Sequence, residues 1–156
     1  MPKADLSSHA FTAFVGEESL EIPYRVYHDV TLIQSAQLVG VQLELLDCLL
    51  TRHHDGRVRE EHLRKILRSN GPWVPPFVVH LAGEYVIEIL YAIRDGLAGL
   101  DPRLYRMFLT QNPAFFERTK QRVESYRNCY YPSLDKGTYP GSEIVRFFDA
   151  LVASGR

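Results

Sequence analysis

The stretch PWVPPFVVHLAGEYVIEILYAIRDG, residues 72–96, decides how the rest of the chain must be arranged. Pro75 and Pro76 suit the first turn of a helix, where a missing N–H costs little and the fixed φ is already helical. From Phe77 the chain stays apolar to Ile93, and Gly96 is a natural C-terminal stop. At 3.6 residues per turn, His80, Glu84, Glu88, Tyr91 and Asp95 share one narrow strip with Phe77. The remaining circumference carries Val78, Val79, Ala82, Tyr85, Val86, Ile89, Leu90, Ala92 and Ile93. A helix apolar almost all round belongs at the centre of its neighbours. The expectation is a central helix over about 76–95 whose strip meets water, a polar network or a partner.

Working outward, 156 residues with 46% hydrophobic and 24% charged side chains describe an ordinary globular chain with room for a core. We expect one domain over 1–156, with 1–10 loose. Residues 11–15 and 20–28 read as a hairpin turning at Gly16, with Leu20, Ile22, Tyr24 and Val26 on its packed face. Pro23 cannot donate to a ladder, so one side of that strand is an edge, able in principle to accept a strand from another chain. Residues 31–154 read as helical. A helix over 31–54 has Leu38, Val41, Leu45, Leu46, Leu49 and Leu50 as its apolar face, ending at Asp55-Gly56; a shorter one follows over 59–69. Asp101-Pro102 and Asn112-Pro113 each start a helix. The second has Phe116, Thr119, Val123, Tyr126 and Tyr130 as its inward stripe, and the last, over 142–153, buries Ile144, Phe147 or Phe148, and Leu151. The fold class is mainly α: a bundle or array of five or six helices with an N-terminal β-hairpin over about 11–28.

Net charge is −1, too small to draw the whole protein to nucleic acid or a membrane surface. Its distribution is uneven. Residues 1–50 carry a net of −5, 51–68 of +3, 69–101 of −3 and 102–127 of +4. Ion pairing between basic outer helices and an acidic central one accounts for this, as would a one-sided surface for a charged partner. Cys48 and Cys129 form no disulfide framework or zinc pattern and read as buried free thiols; no apolar secretory leader is legible at the N-terminus, which points to the cytoplasm. The run 77–93 is short for a membrane span and carries costly carboxylates and a histidine, so no membrane partner is expected.

Four groups of residues could carry chemistry. His80, Glu84 and Glu88 stack at i, i+4 and i+8 and could hold a transition metal, although no Glu-x-x-His occurs to complete a carboxylate-bridged bundle site. A polar network with arginines explains the same column. Residues 51–62 resemble a calcium loop in position only, since Asp55 alone could serve as a carboxylate ligand. Arg57-x4-His62 matches the loose Arg-x4-6-His pattern of small helical ribonucleases, with His53 and His54 as further proton-transfer groups; Glu60 and Glu61 inside it would repel RNA, and a solvated helix face explains it as well. Last, Arg122, Tyr126, Arg127, Tyr130, Tyr131 and Tyr139 supply the residue types enriched at interfaces.

No phosphate loop, nucleophile elbow or zinc-protease motif is present. The expected function is therefore non-enzymatic binding of another protein, in the manner of a bacterial immunity or antitoxin-type inhibitor that occludes a toxin's site, with no cofactor. Its expected face is Glu84, Glu88, Asp95, Arg127, Tyr131 and Tyr139. The alternative is a small helical hydrolase, ribonuclease-like through His53, His54, Arg57 and His62, or metal-assisted through His80, Glu84 and Glu88. A nucleic-acid module using 51–68 and 102–127 is the third reading; the weak net charge makes nucleic acid the poorer partner.

Overall fold

The computed structural model describes residues 10–30 and 37–155. Two strands form a hairpin, β1 (Ala10–Val15) and β2 (Glu18–Pro23), followed by seven α-helices among the described residues. The helices are α1 (Val41–Leu50), α2 (Gly56–Ile66), α3 (Val74–Leu81), α4 (Ile87–Gly96), α5 (Pro102–Gln111), α6 (Pro113–Tyr130) and α7 (Pro140–Ala153). A mainly α fold with an N-terminal hairpin is what the sequence predicts.

The hairpin turns at Gly16, whose φ of +61° places it at the first central position of a two-residue turn, where a side chain would be strained. Phe11 opposes Ile22 and Ala13 opposes Leu20, and Phe11, Ala13 and Ile22 are buried. The outer edge of β1 is closed from within. Asn112 accepts from the Phe14 N–H at 2.7 Å and donates to the Phe14 carbonyl at 2.8 Å, as a neighbouring strand would. Gln111 adds a donation to the Gly16 carbonyl. An edge so occupied offers no template to another chain there.

The predicted central helix is divided. α3 is buried at every one of its residues, and α4 buries Ile89, Leu90, Ala92 and Ile93. Between them the Gly83 and Glu84 N–H groups bond three residues back, to His80 and Leu81, and Val86 is extended at ψ 110°. Glycine and a β-branched valine weaken a helix here, but the deciding feature is Glu84, whose side chain turns inward to two arginines. A continuous helix would have kept it in line with Glu88.

Asp101 caps α5 as its position implies, accepting from the Arg103 and Leu104 N–H groups. Asp55, read as a helix terminator, instead caps the start of α2 by accepting from the Arg57 N–H. The first part of the helix predicted over 31–54 falls on residues 31–36, outside the described residues; the described part starts at Val41 after Gly40, which has φ +56°. Its apolar face also differs from expectation. Asp47, Cys48 and Leu50 are buried, whereas Val41, Leu45 and Leu49 are exposed. In α6 the inward stripe holds through Phe116, Thr119 and Val123, then leaves the core at Tyr126 and Tyr130. α7 buries Ile144 and Phe148 as predicted. One hydrophobic cluster joins the hairpin to every helix except in part α1, which contributes Cys48; each fully buried Val, Leu, Ile or Phe in it contributes about 1.5–3 kcal/mol.

Candidate functional site

The break between α3 and α4 organises two polar features, one buried and one exposed. The buried one is an arginine cluster around a single carboxylate. Glu84 is 6% exposed, with Oε1 3.3 Å from Arg25 Nη2 and Oε2 3.3 Å from Arg59 Nε. The Arg59 contact is an ion pair without hydrogen-bond geometry; Nη1 of Arg59 makes its bonds to the His53 and His54 carbonyls, both at 2.9 Å. Arg52 is fully buried and donates to the Tyr24 carbonyl at 2.8 Å and the Pro23 carbonyl at 3.3 Å, with its guanidinium 5.6 Å from the Phe11 ring centre. Backbone carbonyls thus stabilise cations that one carboxylate cannot neutralise alone.

Arg122 of α6 extends this cluster. Its Nη1 donates to His80 Nε2 at 3.0 Å and its Nη2 to the His80 carbonyl at 3.1 Å and Thr119 Oγ1 at 3.3 Å. An arginine has no acceptor, so His80 Nε2 must be unprotonated and the ring neutral. The His80 ring lies flat on Phe11, with centroids 3.9 Å apart. Burial first, and then Arg52, Arg122 and Arg25, hold the His80 pKa well below the usual histidine range. Burial likewise lowers Arg59 and Arg122, and brings Arg52 down to about 9, still cationic at neutral pH. Gly83 is the close-approach residue: a Cβ there would lie 2.9 Å from Arg122 Nε.

The exposed feature is a tyrosine face. Tyr85, in the break, lies 5.4 Å from the Tyr130 ring and 5.8 Å from the Tyr126 ring, and Tyr126 and Tyr130 are 5.9 Å apart. Tyr131 donates its hydroxyl to the Tyr85 carbonyl at 2.6 Å. Burial, and then Glu88, raise the Tyr131 pKa, with Tyr85 and Tyr91 acting in the same direction. Arg94 stacks over Tyr91 at 4.7 Å and pairs with Asp95 at 2.9 Å. Tyr130 is 58% exposed, Tyr85 42% and Tyr91 38%. Aromatic rings held in place by each other and by backbone bonds, yet open to water, are the material of interface centres.

Of the residues expected on a partner face, Glu88 and Asp95 are exposed and Arg127 and Tyr131 half-buried. Glu84 and Tyr139 are buried: Glu84 because arginines draw it inward, Tyr139 because it is packed under Tyr131, 5.8 Å away, ahead of α7. The column His80–Glu84–Glu88 is not assembled. The helix break separates Glu88 from the other two, and His80 and Glu84 are engaged with arginines. Among the described residues, no group of three His, Cys, Asp or Glu side chains is placed to hold a metal.

Of the histidines of the alternative reading, His53 and His54 lie ring against ring at 4.3 Å, while His62 pairs elsewhere. His53 is buried, with Nε2 donating to the His28 carbonyl at 2.8 Å and Nδ1 accepting from the Asp55 N–H at 3.1 Å. His54 is exposed and stacks on Tyr27. Arg57 is exposed, and His62 Nδ1 is 2.6 Å from Asp47 Oδ1 on α1. His62, paired with Asp47, shares no hydrogen-bonded partner with the other two, whereas Arg59 Nη1 bonds both the His53 and His54 carbonyls. Elsewhere, the exposed Leu45 and Leu49 of α1, with Phe14, Trp73 and Met107, line an apolar groove of about 920 Å3.

Sequence reading missed Arg25, Arg52, Arg59 and Tyr85. The basic excess in 51–68 was the available signal for two of the arginines; nothing local marks Arg25 as a partner of Glu84. No helix among the described residues is long and apolar enough to cross a membrane. Comparison with protein-family models, with curated proteins and with solved structures returns no match to this chain.

Proposed function

We propose that this is a non-enzymatic binding protein whose tyrosine face engages another protein. The observation that carries the reading is the exposure of Tyr85 and Tyr130, ring against ring on an ordered base, together with exposed Tyr91 under Arg94 and exposed Glu88 on α4. Two χ angles per tyrosine make such a face inexpensive in conformational entropy, and its mixed flanking charges give specificity without a strong net field. In its most specific form the proposal is an immunity or antitoxin-type inhibitor that covers a toxin's site, acting in the cytoplasm; the free thiols Cys48 and Cys129 are in keeping with that compartment.

The test compares three immobilised forms in extract of the native cells: wild type, Tyr85→Ala/Tyr130→Ala/Glu88→Lys, and an Arg57→Ala control. One protein retained by wild type and control, and lost by the triple variant at an unchanged melting temperature, is the expected result. No retained protein, or equal retention by all three forms, refutes the reading.

A further inference from the structure

Beside the arginine cluster the structure opens a second, smaller site. A cavity of about 350 Å3 is lined by Phe11, Tyr24, His80, Phe115, Arg118 and Arg122, with Thr119, Gln121 and Ser125 completing its α6 wall. That volume lies at the lower end of the range found for small-molecule pockets, and its lining sets aromatic rings against a polar wall. The apolar walls are rings: Phe11 stacks on His80, Tyr24 meets both edge-on at 5.4 and 5.6 Å, and Phe115 lies 5.7 Å from Phe11.

The polar wall is cationic and only partly compensated. Arg118 and Arg122 are one turn apart on α6, and the Arg118 charge adds to burial in disfavouring the Arg122 cation. Among the described residues neither has a carboxylate within ion-pair distance, whereas on the same helix Lys120 pairs with Glu117 and Asp149, and Arg127 pairs with Glu124. Glu84, whose charge favours the Arg122 cation from a distance, is itself occupied by Arg25 and Arg59. Nε of Arg122 is buried without an acceptor, and His80, with Nε2 committed as an acceptor, brings no negative charge. Arg122 is held by three bonds, so its guanidinium is already positioned before any ligand arrives. A preset arginine with a second, free arginine beside it and flat apolar walls behind matches one ligand chemistry.

We propose that this cavity binds a small organic anion, a carboxylate or phosphate monoester carried on a flat apolar body, through Arg118 and Arg122. The head group pairs with the two guanidinium groups, and the body lies against Phe11, Tyr24 and Phe115. Arg118 is the recruiting residue, because it is exposed and has no structural partner among the described residues; Arg122 is the anchor.

Titration with benzoate, phenyl phosphate and neutral benzamide, followed by calorimetry and by the NMR signal of the Arg122 Nε–H, tests this. Saturable binding of benzoate or phenyl phosphate is expected, with the Arg122 signal moving and benzamide inert. Arg118→Gln should weaken that binding by about tenfold, the scale of one charged hydrogen-bonding group, at an unchanged melting temperature. Gly83→Ala, which presses on the Arg122 guanidinium, should weaken it too. The proposal fails if neither anion saturates by ~10 mM, if benzamide binds as well, or if Arg118→Gln binds like wild type.

Discussion

Replacing Glu84 by Gln removes one negative charge from the centre of the fold while keeping the side chain's shape. Glu84 is the carboxylate shared by Arg25 and Arg59, and Arg52 and Arg122 both feel its charge. With Gln at this position, the Arg59 guanidinium, 2% exposed, keeps its two carbonyl acceptors but loses its counter-ion. Breaking a buried ion pair from one side costs about 3–5 kcal/mol. For a chain of this length each kcal/mol shifts the melting temperature by about 2–4 °C, so the loss should be about 6–20 °C. Because the pair is buried, raising the salt to ~1 M should recover little of it. Denaturant titration of Glu84→Gln beside Glu88→Gln is the assay. Glu88 is exposed, and its substitution should stay within about 0.5 kcal/mol of wild type. If Glu84→Gln is within about 1 kcal/mol of wild type, the carboxylate does not hold the break between α3 and α4, and the explanation given for the divided helix is wrong.

His80 makes stability fall with acid. Its folded pKa is depressed, so below about 6.5 the unfolded chain binds a proton that the folded chain refuses, and stability drops by up to about 1.4 kcal/mol per pH unit. Denaturation midpoints between pH 6.5 and 5 should show this slope, and His80→Phe, which can keep the stack on Phe11, should flatten it; an unchanged slope contradicts the buried neutral histidine. The thiols should separate cleanly: Cys129, expected from sequence to be buried, is exposed near the end of α6 and should react with iodoacetamide at pH 8 in the native protein. Burial, with Glu44 and Asp47, pushes Cys48 up to about 12, so peptide mapping should find it unmodified until the chain unfolds. Asn112→Ala leaves the Phe14 N–H and carbonyl without their partners and should cost about 1–3 kcal/mol in denaturant titration. Rapid hydrogen exchange at the Phe14 amide should accompany it.

Much of the fold is legible because its signals are local. The Asp101-Pro102 and Asn112-Pro113 helix starts, the Gly16 turn and the buried run of α3 each follow from a few adjacent residues. What is not legible depends on contacts far apart in the chain. Glu84 sits in register with Glu88 on any helical projection, and only Arg25, in the segment after β2, and Arg59, on α2, draw it out of that register. The leucines of α1 carry a helical pattern that packing does not use: Leu45 and Leu49 line the apolar groove instead of the core. Tyr126 and Tyr130 continue the stripe of α6 by spacing, but they lie beyond Val123, where Tyr85 takes the place of core neighbours. Of the six residues expected on a partner face, Glu84 and Tyr139 are buried by such distant contacts, while Tyr85, apolar in the helical projection, is exposed.

The binding reading rests on the tyrosine face, and site-specific photo-cross-linking in the native cells tests it most directly. With p-benzoylphenylalanine replacing Tyr130, irradiation should join the protein to one partner polypeptide, and the same probe replacing Arg57 should not. If position 130 yields no protein adduct, or both positions yield the same one, the tyrosine face is not where this protein meets a partner.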